Sequence, residues 1–277
     1  MKIKVIDCGN FMCDGGAAFG IIPKLMWSKE YPVDADNLIN LTMRSLLADN
    51  GTRIALVDTG MGNKLSDRFL KYQYVNGEGE LIKSLASKGY KTEDITDVVL
   101  THLHFDHCGG CVTKLSDGSL VPTFPNATYW TTKAQWENYI NPTNIREASV
   151  SFPENMMPLF ERNMIRFIEE GTTLFEGFEM RIFDGHTPGQ IVPFVTTQTD
   201  TYCYTGDVIP VMASIPLAWI AAYDTFPLTS IKEKERFLEE VSQKGYQLFF
   251  QHDLYTTTCL VEKSIRGFRG IKSEFKE

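Results

Sequence analysis

Between Val98 and Cys111 the chain reads Val-Val-Leu-Thr-His-Leu-His-Phe-Asp-His-Cys-Gly-Gly-Cys. The apolar run Val98 to Leu100 predicts a buried strand that ends at Thr101. His102, His104, Asp106 and His107 follow at once, four potential ligands within six positions. Such a group makes a poor core, because every buried polar side chain needs a partner. A divalent cation partners all of them together. His102 and His104, two apart, point to the same side of an extended segment and can grip one ion. Asp106 and His107 are adjacent and need a turn, which Gly109-Gly110 permits.

The same pattern recurs along the chain. Of its five histidines, three lie in this stretch, and the other two, His186 and His252, also follow apolar runs. Asp58 comes after Arg53–Val57 and Asp207 after Thr201–Tyr204. Side chains at strand ends sit on a rigid scaffold and face a common rim, as metal geometry requires. Taken alone, Asp58 reads equally well as a turn or helix cap. Imidazole and carboxylate together suit a borderline cation such as zinc. Cys108 and Cys111 lack a second pair at finger-like spacing, so they are expected to be small buried residues behind the site and not ligands.

At 277 residues the chain can bury one large core, or two half-sized units that share one. Its 43% hydrophobic and 22% charged residues are those of a soluble globular protein. A net charge of -8 argues against nucleic acid as the main partner. No stretch approaches the apolar length of a membrane span. Met1–Asp7 starts as an amphipathic strand and not as a secretion signal, so a cytoplasmic location is expected. The six cysteines are too dispersed for a disulfide framework.

Leu38–Ala48 and Arg53–Val57 alternate as strands, joined by the turn residues Asp49-Asn50-Gly51-Thr52. Glycine and small residues make Cys8–Gly20 a long loop on composition, and Thr113–Pro125 another. Helices are expected near Leu81–Leu85, from Lys133 to Tyr139, from Met156 to Phe167, and from Ser230 to Ser242. Residues 141–166, with Pro142, Pro153 and Pro158, read as an insertion over the site. Phe178–Phe183, Ile191–Thr196, Thr201–Tyr204 and Gln247–Phe250 form a second strand series. Val208–Phe226 is apolar and aromatic without a strong period.

His102-x-His104-x-Asp106-His107, followed by His186, Asp207 and His252 and preceded by Asp58, resembles the metallo-beta-lactamase superfamily over nearly the whole chain. Gly20-x-x-Pro23-Lys24-x-x-Trp27, Leu56-Val57-Asp58-Thr59-Gly60 and Gly206-Asp207-x-Ile209-Pro210 look most like its branch of N-acyl homoserine lactonases and methyl-parathion-hydrolase-like enzymes. The resemblance implies an α+β fold, a four-layer αββα sandwich of two mixed sheets. It would form a single domain over 1–277, elaborated near 9–32 and 141–166. The resemblance also implies two divalent ions, zinc first, with manganese or iron as alternatives. His102, His104 and His186 would hold one, and Asp106, His107 and His252 the other. Asp207 would bridge them, and Asp58 would orient a ligand histidine. Asp106 and Asp207 are the carboxylates expected to act in catalysis.

The function so implied is hydrolysis of a small ester-like molecule, a lactone or phosphotriester, by a hydroxide between the ions. A thioesterase of the glyoxalase II type, or a non-catalytic or redox metal protein, is the alternative. Diiron oxidoreductases of the family usually replace an early histidine by a carboxylate; His104 remains histidine, which favours hydrolysis. Two departures stand out. Pro210 occupies the place of the tyrosine that lactonases use on the substrate carbonyl, with Tyr223 as a substitute, and Gln190 stands where many relatives carry a histidine. The expected partner is a small molecule, with no nucleic acid or membrane, and a homodimer is compatible. Phe19, Trp27, Phe105, Met212, Ile215, Trp219, Tyr223 and Phe226 are the candidates for the substrate pocket.

Overall fold

Neighbouring residues on the central strands point into different cores, and that alternation builds the layers. The computed structural model describes residues 1–277. The N-terminal half runs β1 (Lys2–Asp14), α1 (Gly15–Phe19), α2 (Lys24–Trp27), β2 (Leu38–Asp49), β3 (Ile54–Val57), α3 (Asp67–Gln73), α4 (Leu81–Ser87) and β4 (Asp97–Val99). It continues with α5 (Phe105–Cys108), the small hairpin β5 (Val112–Lys114) and β6 (Leu120–Pro122), β7 (Thr128–Thr132), α6 (Lys133–Ile140), α7 (Ile145–Val150), α8 (Met157–Phe160) and β8 (Ile165–Ile168). The C-terminal half holds β9 (Thr173–Phe175), β10 (Phe178–Phe183), β11 (Gln190–Thr196), β12 (Thr201–Tyr204), α9 (Pro227–Lys244), β13 (Gln247–Phe249), β14 (Thr258–Ser264) and β15 (Gly267–Ser273).

One sheet has the order β1-β2-β3-β4-β7-β8, the other β15-β14-β13-β12-β11-β10-β9. Both are mixed. In the first, β3, β4, β7 and β8 run parallel; in the second, β12 and β13 do. Leu46, Ala55, Val57 and Val99 of the first sheet meet Phe178, Ile191, Val195, Tyr204 and Phe249 of the second in one buried cluster. The residues next to them face outward. Leu47, Leu56 and Val98 pack under α4, α6 and α8 through Leu81, Leu85, Trp136, Tyr139 and Leu159. Val192, Phe194, Cys203 and Leu248 pack under α9 through Phe237, Leu238 and Val241. The result is the expected αββα sandwich.

Three local expectations are corrected. Cys8–Gly20 is no long loop. β1 continues through a bulge between Asp7 and Asn10 and pairs with β2 as far as Asp14↔Leu38. α1 then begins at Gly15, where a Cβ would lie 2.2 Å from the Trp27 ring. The composition that suggested a loop serves the bulge at Gly9 and this close ring contact. Thr113–Pro125 contains the β5–β6 hairpin. The helix expected from Met156 to Phe167 is only the short α8. After Asn163, at φ 55, the chain turns into β8 and pairs with β7.

Candidate metal centre

β3 and β4 are parallel neighbours in one sheet, as are β12 and β13 in the other, so their C-terminal ends reach one rim. β3 ends at Val57 and delivers Asp58; β4 leads to His102; β12 leads to Asp207 and β13 to His252. β10 supplies His186 through the turn that follows Phe183. His104 stands immediately before α5, whose single turn carries Asp106 and His107.

All five histidines, Asp106 and Asp207 meet there. His102 with His104 and His186, His102 with His107 and Asp207, and Asp106 with His107 and His252 each place their ligand atoms within 4.8 Å of one another. The two Asp207 oxygens face different groups. Oδ1 lies 2.9 Å from His252 Nε2 and 3.5 Å from His107 Nε2, while Oδ2 lies 3.3 Å from His186 Nε2. Gly206, at φ 47, makes the turn before Asp207; a Cβ there would approach the Gln190 side-chain amide to 2.8 Å. Assigned from its donors, the Gln190 amide oxygen accepts from the Asp207 and Val208 N–H groups at 3.0 and 3.2 Å. Gln190 thus shapes the turn from beneath.

Each imidazole is fixed from its outer side. His107 Nδ1 donates to Asp58 Oδ2 at 2.9 Å, and His186 Nδ1 to Asp224 Oδ1 at 2.9 Å. His252 Nδ1 donates to the Thr42 carbonyl at 2.9 Å, and His104 Nε2 to Glu147 Oε2 at 3.4 Å. Thr101 gives its one hydroxyl proton to Asp58 at 2.7 Å, so it accepts from His102 Nδ1 at 3.1 Å. These bonds set every tautomer and leave the inward nitrogens as bare lone pairs. Yet His104 Nδ1 and His186 Nε2 are 3.2 Å apart, and His107 Nε2 and His252 Nε2 are 3.3 Å apart. His102 Nε2 is buried with no hydrogen-bond partner, and Asp207 Oδ1 faces only the inward imidazole nitrogens of His252 and His107. Lone pairs so close repel unless a cation lies between them, and the donor set fits divalent metal.

Burial pushes His107 down, but the carboxylates of Asp106, Asp207 and Asp58 outweigh it and hold the imidazole well above its ordinary value. His186 is likewise raised, by Asp207 and Asp224 against burial. Burial and the neighbouring imidazoles push His102 well below its ordinary value. Burial raises Asp207, and His252, His186 and His107 override it to hold the carboxyl well down. The carboxylate charge is therefore kept where a cation would use it.

Asp58, Asp224 and Glu147 come from three distant places. Asp58 adopts φ 58, a left-handed conformation rare outside glycine, asparagine and aspartate, and its carboxylate also accepts from the Thr101 N–H at 2.8 Å. Glu147 lies on α7, inside the 141–166 segment, and is buried against Thr187 and Thr225 at 2.9 and 3.0 Å. Sequence reasoning found Asp58 from its strand end. It missed Asp224 and Glu147, which follow no strand and carry no spacing signal.

A cavity of about 500 Å³ opens over His104, Asp106, His186, Asp207 and His252. Of the pocket candidates, only Phe105 and Tyr223 line it. Phe19 and Trp27 stack on each other at 5.1 Å in the buried cluster that backs the Phe11, Leu41 and Phe105 wall, without reaching the cavity. Trp219 meets Phe19 edge-on at 5.8 Å. Ile215 is buried toward α9, with Met212 packed against that cluster, and Phe226 is exposed just before α9. The apolar character of Val208–Phe226 thus serves packing, and Tyr223 is the member that turns toward the ligands. The missed wall comes from Phe11 and Met12 of β1, Leu38 and Leu41 of β2, Tyr72 of α3, and Val150 of α7. No period marked it, since Phe11 and Met12 are adjacent and Leu38 and Leu41 three apart.

A four-layer sandwich with histidines and aspartates gathered from both sheets at one rim defines a class of metal-dependent enzyme. The sequence model of the Metallo-beta-lactamase superfamily matches residues 44–252. The chain belongs to that superfamily, stands with its lactonase-like branch, and is a metal-dependent hydrolase. It is 26% identical to an N-acyl homoserine lactonase of Bacillus cereus over 236 residues, 79% of this chain and 84% of the relative. A probable metal-dependent hydrolase from Staphylococcus aureus superposes with a TM-score of 0.87 at 31% identity, covering 100% of this chain and 98% of the other. AidC, a dizinc quorum-quenching lactonase in complex with a product, shares the fold at a TM-score of 0.82 and 22% identity, over 99% of this chain and 95% of its own. No helix is long and apolar enough to cross a membrane.

Proposed function

We propose that this enzyme opens the ester ring of small lactones, N-acyl homoserine lactones foremost, with two divalent ions, zinc by preference. The observation that carries the reading is the convergence of the inward imidazole nitrogens on Asp207, with His102 Nε2 buried and unpartnered. His102, His104 and His186 form one ligand group and Asp106, His107 and His252 the other, with one Asp207 oxygen turned to each. When bound, two such ions supply Lewis acidity and bring the pKa of water to about 7. Asp106 and Asp207 stand beside the place of the attacking water, where one carboxylate would take its proton and pass it to the leaving alkoxide. Asp58, Asp224, Glu147, Thr101 and the Thr42 carbonyl accept the outer N–H of each imidazole and aim its other nitrogen inward.

The cavity receives the rest of the substrate. Phe11, Leu38, Leu41, Phe105 and Val150 offer an apolar wall suited to an acyl chain. Tyr223 stands beside His186, ring centroids 5.8 Å apart. Its phenol donates to the lactone carbonyl, the role that Pro210 cannot fill. The similarity to N-acyl homoserine lactonases supports this substrate class. The deciding experiment measures hydrolysis by the metal-replete enzyme of lactone, phosphotriester and thioester substrates, each before and after chelation. Metal-dependent turnover fastest on acyl homoserine lactones is expected; preference for another class, or activity that survives metal removal, overturns the proposal. Tyr223→Phe should lower kcat on lactones by about 10- to 100-fold while leaving metal content unchanged, the scale of a lost transition-state hydrogen bond.

A further inference from the structure

α9 covers the C-terminal sheet with Phe237, Leu238 and Val241, and the same helix buries a positive charge. Lys234 is 1% exposed. Its ammonium donates to the carbonyl oxygens of Ser214, Pro216 and Trp219 at 2.8, 3.0 and 3.0 Å. An ammonium has three hydrogens, so all are spent on backbone carbonyls. Asp224 is the carboxylate whose field reaches it. Taking a charge out of water opposes folding, so a lysine here calls for a reason beyond filling space.

The segment it grips links the two halves of the site. Residues 208–226 run from Asp207 to Tyr223 and Asp224, with one short turn, Met212–Ser214, as their only regular element. A stretch without repeating backbone bonds needs an outside template to hold one shape. α9 provides it through adjacent positions on one helical face. Ser230 Oγ donates to Asp224 Oδ2 at 2.6 Å. Glu233 accepts from the N–H groups of Asp184 and Gly185 at 3.0 and 2.9 Å, directly before His186. Lys234 adds the third attachment, on the segment that ends in Asp224.

The geometry points to Lys234 as a positioning residue of the metal centre: it fixes the 214–219 carbonyls, and through them holds Asp224 against His186 and Tyr223 in the cavity wall. This rests on His186 being a metal ligand. The test compares zinc release to a chelator from the zinc-loaded wild type, Lys234→Met, Asp224→Asn and the double variant, with thermal unfolding measured alongside. Val241→Ala, on the same helix but packed away from the ligands, is the control for lost stability. K234M should speed release about tenfold, the low end for loss of a ligand's outer support. It should add nothing further in the D224N background, since both act through His186. V241A should lower the melting temperature and release zinc at the wild-type rate.

K234M that releases zinc like wild type, or whose effect multiplies in full with D224N, overturns the inference. If K234M does not fold, Lys234→Gln replaces it, because its amide can still donate to two carbonyls. Failure of both to fold assigns Lys234 to the scaffold and also overturns it. A wild type that takes up no zinc instead refutes the metal reading itself.

Discussion

Asp58 shows at the scale of one residue how the site is held. Its carboxylate takes the His107 Nδ1 proton and both Thr101 donors from a backbone at φ 58. Asparagine tolerates that backbone and removes the charge, whereas alanine pays no such compliance. Asp58→Asn should weaken metal binding by about 10- to 100-fold and cost about 1–3 kcal/mol of metal-free stability, because its amide N–H groups face donors where a carboxylate oxygen accepts. Asp58→Ala should lose about 1–2 kcal/mol of stability besides. Chelator competition and denaturant melts separate the two effects. Glu147 gives a pH signature. Burial raises its carboxyl, but the bonds from His104, Thr187 and Thr225 win and lower it from 4.5 to about 2. Its ionised form therefore stabilises the fold fully above the unfolded value and loses that contribution as pH falls toward about 2. In melts of metal-free protein, the stability gap between wild type and Glu147→Gln should shrink across that interval; a gap independent of pH would contradict the role.

At the scale of elements, strands that deliver ligands were the most legible. An apolar run followed by an acid or histidine marks β3, β4, β10, β12 and β13, because a buried strand must end where polar chemistry begins. α9 was equally plain from its apolar face and the glycine after it, at φ 66. β1 was obscured by its bulge, whose glycine looks like a loop when its partner strand is unseen. The segment after Asp207 misled in the opposite direction. Trp219 there packs against Phe19 and Ile215 toward α9, and tertiary contacts, not composition, decide which side of a wall they occupy. Leu238 is fully buried between α9 and the sheet. Leu238→Ala should cost about 2–5 kcal/mol in denaturant melts without changing the number of ions bound, since its cavity forms away from the rim.

Across the whole molecule, the sandwich brings the five histidines, Asp106 and Asp207 from both sheets to one rim, a grouping that was readable because histidines occur nowhere else in the chain. Of the side chains that aim the imidazoles, Asp58 was readable from its strand end and the others were not. Asp224 and Glu147 reach the site through tertiary contacts that no local period encodes, and the cavity wall depends on how β1, β2, α3 and α7 come together. The central claim is that these residues hold a pair of ions bridged by Asp207. Elemental analysis of zinc bound per chain, after equilibration of stripped protein and removal of free metal, tests it directly. Two zinc ions per wild-type chain and fewer in Asp207→Ala are predicted; a wild type that binds none, or an Asp207→Ala variant that still binds two with unchanged affinity, would contradict it.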